Sequence, residues 1–312
     1  MKLICFLAPL ALALMIGCKA PEQQANQPES NPPTQPPTKP KVEPTKAKLT
    51  PGMEAALKAH EAGNYREAAR LYTVELAAEE AKPAPIWVQL SYLHNQLGRA
   101  LDYAGQYDKA LEYFQKSLAI YLKQLGPEHP SVAISYNNMG AVHRKKGEYD
   151  KALEYYQKVL AIFLKKLGPE HPSVATSYNN IGAVHDNKGE YDKALEHYQK
   201  ALAIRLKQLG PEHPSVAQSY NNIGFVHRKK GDNDKALEYY QKALAIKLKK
   251  LGPEHPSVAG SYHNMAFVYK AKKDLAKAKE YWEKAYAIFL KRLGPNHPNT
   301  KLVKGQLDAL KE

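Results

Sequence analysis

Apolar residues recur along this 312-residue chain in two alternating helical rhythms. Residues 173–214 show one full cycle: "SVATSYNNIGAVHDNKGEYDKALEHYQKALAIRLKQLGPEHP". Tyr178, Ile181, Gly182 and His185 fall at i, i+3, i+4 and i+7, which is one face of a helix. After "NKGEYD", a second stripe runs through Ala194, Tyr198, Ala201, Leu202 and Leu209. Gly189 supplies the positive φ that ends the first helix. The small Gly182, Ala194 and Ala201 keep the packing faces thin. The pattern predicts two helices per cycle, joined by a turn.

The cycle repeats. "LGPEHPSVA" starts at 125, 167, 209 and 251, and a weaker copy, "LGPNHPNTK", starts at Leu293, each 42 residues after the last. Gly210 follows the last apolar residue of the second helix, where a C′ glycine belongs. Pro211 cannot continue a helix, and Pro214 suits the first position of the next, where a missing N–H costs nothing. His213 falls at or near that helix's N-cap. The loop is punctuation, because one His and one Glu make two ligands at best where zinc takes three or four. No metal and no cofactor is expected.

Helix–turn–helix units joined head to tail predict an all-α solenoid. The phrase large–x2–Leu–Gly–x2–large, then Ala, aromatic, Ala, is carried here by Tyr178, Ile181, Gly182, His185, Ala194, Tyr198 and Ala201. That phrase resembles the tetratricopeptide repeat. The 42-residue length and "LGPEHPSVATSYNNIG" are similar to the kinesin-light-chain type, over about residues 87–298. The resemblance implies a right-handed α-solenoid of tetratricopeptide helix–turn–helix repeats. The repeats should fill 51–298, with a shorter, degenerate first unit at 51–82, where Tyr65, Ala68 and Tyr72 match. Full units follow near 87–126, 131–168, 173–210, 215–252 and 257–294. A capping helix at 299–312 should cover the last apolar face.

The N-terminus changes the picture of where the solenoid works. "MKLICFLAPLALALMIGC" has one early Lys and an apolar run too short to span a bilayer, which takes about 20 residues, so residues 1–17 read as a secretory signal. "MIGC" resembles the lipobox of bacterial lipoproteins, which implies lipidation, with palmitate among the acyl chains, at Cys18. Lys19 after it is similar to the outer-membrane sorting preference. The chain has two cysteines, Cys5 and Cys18, so no thiol remains for a disulfide, zinc site or nucleophile. The Pro-rich stretch that follows, up to residue 50, lacks apolar periodicity and reads as a disordered tether. Export to the cell envelope, anchored by lipid, is the expectation.

In a solenoid of this kind the first helix of each pair lines a groove. The residues facing it are Ile134, Asn137, Ala141 and Arg144; Thr176, Asn179, Ala183 and Asp186; Gln218, Asn221, Phe225 and Arg228; Gly260, His263, Phe267 and Lys270. Asn137, Asn179 and Asn221 make a ladder, Phe225 and Phe267 add an apolar patch, and Arg144, Arg228 and Lys270 make one rim basic. The mixture suits an extended peptide with acidic and apolar features. In the resembled family such asparagines and basic residues contact peptide ligands, which implies a similar use of Asn137, Arg144, Asn179, Asn221, Phe225, Arg228, His263, Phe267 and Lys270. The second asparagines, Asn138, Asn180 and Asn222, leave two readings open: groove contacts, or satisfaction of backbone groups between repeats. His143, His185 and His227 read as core positions.

The formal net charge of +14 admits nucleic acid, anionic lipid or acidic protein segments as partners. Nucleic acid is set aside for an exported protein. A protein–protein interaction scaffold is the reading for the whole. A basic surface that binds anionic lipid or polyanionic glycan is its alternative. No Gly-x-Ser-x-Gly elbow, Gly-x4-Gly-Lys-Ser/Thr loop or His-Glu-x-x-His occurs, so no enzymatic activity is expected.

Overall fold

The computed structural model describes residues 47–310. The signal segment, Cys18 and the Pro-rich stretch through residue 46 lie outside the described residues. Among those described, thirteen helices and no strand occur. They come as six pairs and a last single helix. The first helices of the pairs, the A helices, are α1 (Pro51–Glu61), α3 (Trp87–Tyr103), α5 (Pro130–Lys146), α7 (Pro172–Asn187), α9 (Pro214–Lys230) and α11 (Pro256–Ala271). The second, or B, helices are α2 (Tyr65–Glu80), α4 (Tyr107–Leu125), α6 (Tyr149–Leu167), α8 (Tyr191–Leu209), α10 (Asn233–Leu251) and α12 (Leu275–Leu293). α13 (Pro298–Asp308) follows. Each helix packs on its neighbours in the chain, as an α-solenoid requires.

A single contact recurs inside the pairs. Tyr72, Phe114, Tyr156, Tyr198, Tyr240 and Trp282, one per B helix, are each at most 5% exposed. The A-helix positions that answer them hold only Ala56, Gly98, Gly140, Gly182, Gly224 and Ala266. A Cβ at Gly182 would stand 3.0 Å from the Tyr198 ring and 3.2 Å from the Ala194 carbonyl oxygen. Burying each aromatic is worth about 1.5–3 kcal/mol, and a residue no larger than alanine opposite it lets it lie so close.

The "GPEHP" loops resolve into parts. His129, His171, His213, His255 and His297 are N-caps, each Nδ1 accepting from the backbone N–H two residues on at 3.1 Å. A proline opens the helix after each. The loop glutamates reach the following B helix: Glu128 pairs with Lys165 and Lys166, Glu170 with Lys207, Glu212 with Lys249, and Glu254 with Lys291 and Arg292. Gly210 departs from the C′ expectation. It is the C-cap itself, and its φ of 79° with ψ of 164° is extended, not the αL turn of a C′ glycine. Helix α8 runs through Leu209, so the chain must leave abruptly, by a conformation that is almost confined to glycine. Gly189 has the positive φ expected of it, 78°.

The ends keep the same register. Gly63, Tyr65, Ala68 and Tyr72 precede Gly105, Tyr107, Ala110 and Phe114 by 42 residues, although α2 has 16 residues where the later B helices have 19. Pro83 and Pro85 fill the difference. Lys48 is already tied to the array, its N–H donating to Gln89 Oε1 at 3.1 Å and its carbonyl accepting from Gln89 Nε2 at 2.7 Å. At the other end α13 lays Val303 and Leu307 against the cluster of Ala266, Trp282 and Phe289.

After the first pair, which has the buried Glu79 at this place, two junctions carry cations where three carry rings. Tyr121, Phe163 and Phe289 occupy one B-helix position, and Arg205 and Lys247 occupy the same position in the pairs between. Arg205 is 6% exposed and donates to the Ser215 carbonyl at 3.1 Å and to Ser219 Oγ at 2.8 Å. Lys247 donates to Ser261 Oγ at 2.7 Å. Burial pushes the Lys247 ammonium down to about 8 and the Arg205 guanidinium down to about 10.

Two outcomes test this packing. In urea unfolding, Gly182→Ala should stay within about 1 kcal/mol of the parent, because better helix propensity offsets the contact. Gly182→Val should cost about 3 kcal/mol; equal small effects would show that the gap does not limit packing. Lys247→Phe should stabilise at neutral pH by about 1–3 kcal/mol. Between about 8 and 10.5 the unfolded lysine holds a proton that the folded one releases, so the parent gains stability as pH rises through that window. Below about 8 both states are charged and the burial cost is fully present. The variant should lose this gain.

Candidate partner-binding face

The A helices bring their asparagines into one line, and the line is already bonded. Asn138 Nδ2 donates to Asn95 Oδ1 at 2.8 Å, Asn180 to Asn137 at 2.9 Å, Asn222 to Asn179 at 2.9 Å and Asn264 to Asn221 at 3.0 Å. The second asparagine of each unit therefore holds the first asparagine of the unit before it. It satisfies a side chain rather than the backbone groups considered for it. Each rung still has hydrogen-bonding capacity to spare, since an asparagine amide offers two donors and two acceptor lone pairs. The doubled Asn at 137–138, 179–180 and 221–222 is the signal the sequence carries. Its meaning lies in a separation of 43 residues, one more than the period.

The rim is mixed, not basic throughout. Asp102 precedes Arg144 along this rim and Asp186 falls between Arg144 and Arg228, and Lys145 and Lys229 of the next A helices hold them at 2.7 Å and 3.0 Å. Arg144 donates to Asn187 Oδ1 at 3.3 Å. The remaining candidates gather toward the C-terminal pairs. The Arg228 guanidinium carbon lies 5.0 Å from the Phe225 ring centre and 5.7 Å from that of Phe267. His263 meets Phe267 edge-on at 4.8 Å, and Phe267 meets Trp282 edge-on at 5.3 Å. Lys270 Nζ stands 5.8 Å from the Trp282 ring. Phe225, Arg228, His263, Phe267 and Lys270 thus form one aromatic and cationic cluster, while Asn137, Arg144 and Asn179 lie on earlier pairs.

His263 takes the place of a ladder asparagine. Burial, and then the nearby Arg228 charge, push it down to about 4, so it is neutral at ordinary pH. The other histidines are structural. His143, His185 and His227 bond through Nδ1 to Glu148, Glu190 and Asp232 at 2.8, 2.7 and 3.2 Å, and stack on Tyr155, His197 and Tyr239. Among the described residues no group of three or more His, Cys, Asp or Glu side chains is arranged to hold a metal.

Many surface lysines meet a carboxylate from the neighbouring unit. Lys146, Lys188, Lys230 and Lys272 near the ends of A helices pair with Asp108, Asp150, Asp192 and Asp234. With the loop glutamates, these contacts spend much of the cationic surface locally.

With this geometry in view, known proteins offer clear likenesses. The family model for the tetratricopeptide repeat matches residues 89–165, 131–207, 173–249 and 257–307. Among solved structures, a Podosopora anserina protein described as a putative kinesin light chain with nearly identical TPR-like repeats is 32% identical. The match covers 64% of this chain and 96% of that one, with a TM-score of 0.56. BtubC (BKLC) from P. vanneervenii is 23% identical over 80% of this chain and 95% of its own, with a TM-score of 0.59. The apo form of RapI is 17% identical over 83% and 96%, with a TM-score of 0.58. The last two likenesses are of fold alone. No curated protein matches the chain.

Proposed function

Since the chain belongs to the tetratricopeptide repeat family, we propose that it is a protein-interaction scaffold whose A-helix face takes an extended segment of a partner protein. The observation that carries this reading is the cluster at the C-terminal pairs. Phe225 and Phe267 flank the Arg228 guanidinium, with His263 beside them. An apolar side chain set on the rings and an acidic one set on the cation would complete it. Along the rest of the face the asparagine rungs complement a peptide backbone, which presents donors and acceptors at regular intervals.

In this reading the scaffold works at the cell envelope and serves assembly of an envelope complex. Residues 1–17 export it and a lipid on Cys18 holds it, at the outer membrane; "MIGC" and Lys19 support that placement. The alternative, binding of anionic lipid or glycan by the net positive surface, draws less support, because so many lysines already face carboxylates one unit away.

The two readings respond differently to one pair of substitutions. Changing Phe225 and Phe267 together to Ala should lower affinity for a partner captured from envelope extracts at least about tenfold. Retention on a heparin column should be unchanged by it and fall with salt. Partner affinity that ignores both phenylalanines while following salt would overturn the scaffold reading and leave the polyanion one.

A further inference from the structure

The turn inside each of the three middle pairs is electrically balanced. Residues 146–153, 188–195 and 230–237 each carry two lysines and two carboxylates. The equivalent stretch of the last pair, 272–279, reads "KKDLAKAK", four lysines and one aspartate. It joins α11 to α12, and all four of these lysines are exposed. The imbalance belongs to a wider one. Residues 47–213 hold 21 lysines and arginines against 19 carboxylates, while residues 214–310 hold 18 against 8. The surplus positive charge of the described residues lies mainly on the last two pairs and the cap.

Two of the changes in this turn follow from the end of the array. Asp150, Asp192 and Asp234 each pair with a lysine one unit on, and Ala276 stands where no further A helix brings one. Lys279 takes the place of Leu195 and Leu237, which are buried; α13, at 11 residues, is too short to cover that position. Two other changes have no such reason. Lys273 has a φ of 63° where the earlier turns use glycine, a conformation that strains an L-residue. Leu275 is 53% exposed, where Tyr149 and Tyr191 are half-buried. A turn that had only to be soluble would keep a glycine and a polar residue, as Gly231 and Asn233 do. The one carboxylate is already committed: Asp274 accepts from the Lys277 backbone N–H at 3.0 Å and lies 3.5 Å from its ammonium. Lys279 reaches Glu283 only at 3.9 Å, and Lys273 has no ion-pair partner among the described residues.

We propose that the α11–α12 turn is a contact site for an anionic phospholipid surface, centred on Lys273 and Leu275. An exposed leucine among lysines suits the boundary of such a bilayer. The leucine enters beside the acyl chains while the ammonium groups stay with the headgroup phosphates. A dissolved polyanion would engage the cations and leave the leucine without a role. The site uses none of the residues assigned to the partner segment, and it does not depend on an acyl chain at Cys18.

Hydrogen exchange on vesicles tests the site in the full chain carrying Cys18→Ser, which removes the thiol an acyl chain would need. On vesicles of equal parts phosphatidylcholine and phosphatidylglycerol, exchange across 272–279 should slow at least about fivefold. Phosphatidylcholine alone should leave it unchanged, and the matching turn at 230–237 should not respond to either. Lys273→Gly, which also relieves the positive φ, should lower affinity for the anionic vesicles about fivefold and melt no lower than the parent. Leu275→Asn, which copies Asn233, should lower it at least about tenfold. Protection shared equally by the two turns overturns the site, as does vesicle binding that survives both substitutions. Binding that needs Lys273 and ignores Leu275 also overturns it, since the turn is then a surface for polyanions in general. Phe225 and Phe267 enter none of these outcomes, so the scaffold reading is judged separately.

Discussion

Everything in this array depends on how closely two helices approach where an aromatic ring meets a missing side chain. Gly182 under Tyr198 is one case, and Gly98, Gly140 and Gly224 repeat it. The ring fills the space that a β-carbon would take, and so sets the distance between the A and B helices of a pair. A pair held at one distance presents its next face at one place, and the following pair lands on it in the same way. Trp282 opposite Ala266 shows the limit of the device: a methyl group is accommodated, and Ala56 opposite Tyr72 is its counterpart at the other end. Both exceptions lie in the terminal pairs, where a change of spacing is passed on to only one neighbour.

A constant step turns sequence period into polar contact. Residues 37 or 38 apart meet where a loop glutamate or a B-helix aspartate reaches a lysine of the next unit. Residues 43 apart meet where one A helix lies beside the next, through asparagines on the face and alternating charges on the rim. Most of these contacts are exposed or half-exposed and individually weak, the Asp102 and Asp186 carboxylates being the sheltered ones. Together they hold the rotation between pairs, which apolar packing alone leaves loosely specified. The net charge of +14 is what remains after every carboxylate is counted, so these pairs decide where the surplus lies on the surface, not how large it is.

What is legible in the chain follows the same division. The all-α solenoid, the positive φ at Gly189 and the capping role of His213 are readable because each is decided within a few residues. Gly210 misleads by one position, since a glycine after a helix signals a turn without saying which. The asparagine ladder is visible as a row, and its bonds are not. Knowing that Asn180 reaches Asn137 requires the register of one helix on the next, which adjacent residues do not encode by themselves. For the same reason the rim looks basic when Arg144, Arg228 and Lys270 are read alone. Asp102 and Asp186 with their lysines change it. The cations Arg205 and Lys247 give no sign of their burial in sequence, because their partners, Ser219 and Ser261, stand 14 residues on.

Specificity in such an array has to come from its departures. A unit whose rungs, rims and loops are all satisfied by identical neighbours offers a ligand the same surface at every step, and so no register. The last two pairs break the repetition in several ways at once. His263 replaces a ladder asparagine, phenylalanines replace alanines at 225 and 267, and alanine stands at 271 where asparagine and lysine stand at 187 and 229. Lys273 adopts the positive φ, 63°, that glycine supplies at the equivalent turns at 147, 189 and 231. That conformation strains an L-residue by about 1 kcal/mol. Changes scattered by drift would fall on any unit. Those at 225, 263, 267 and 271 lie on α9 and α11, where the aromatic surface and the Arg228 guanidinium also lie. The repeats build the face, and the place where repetition fails tells one end of it from the other.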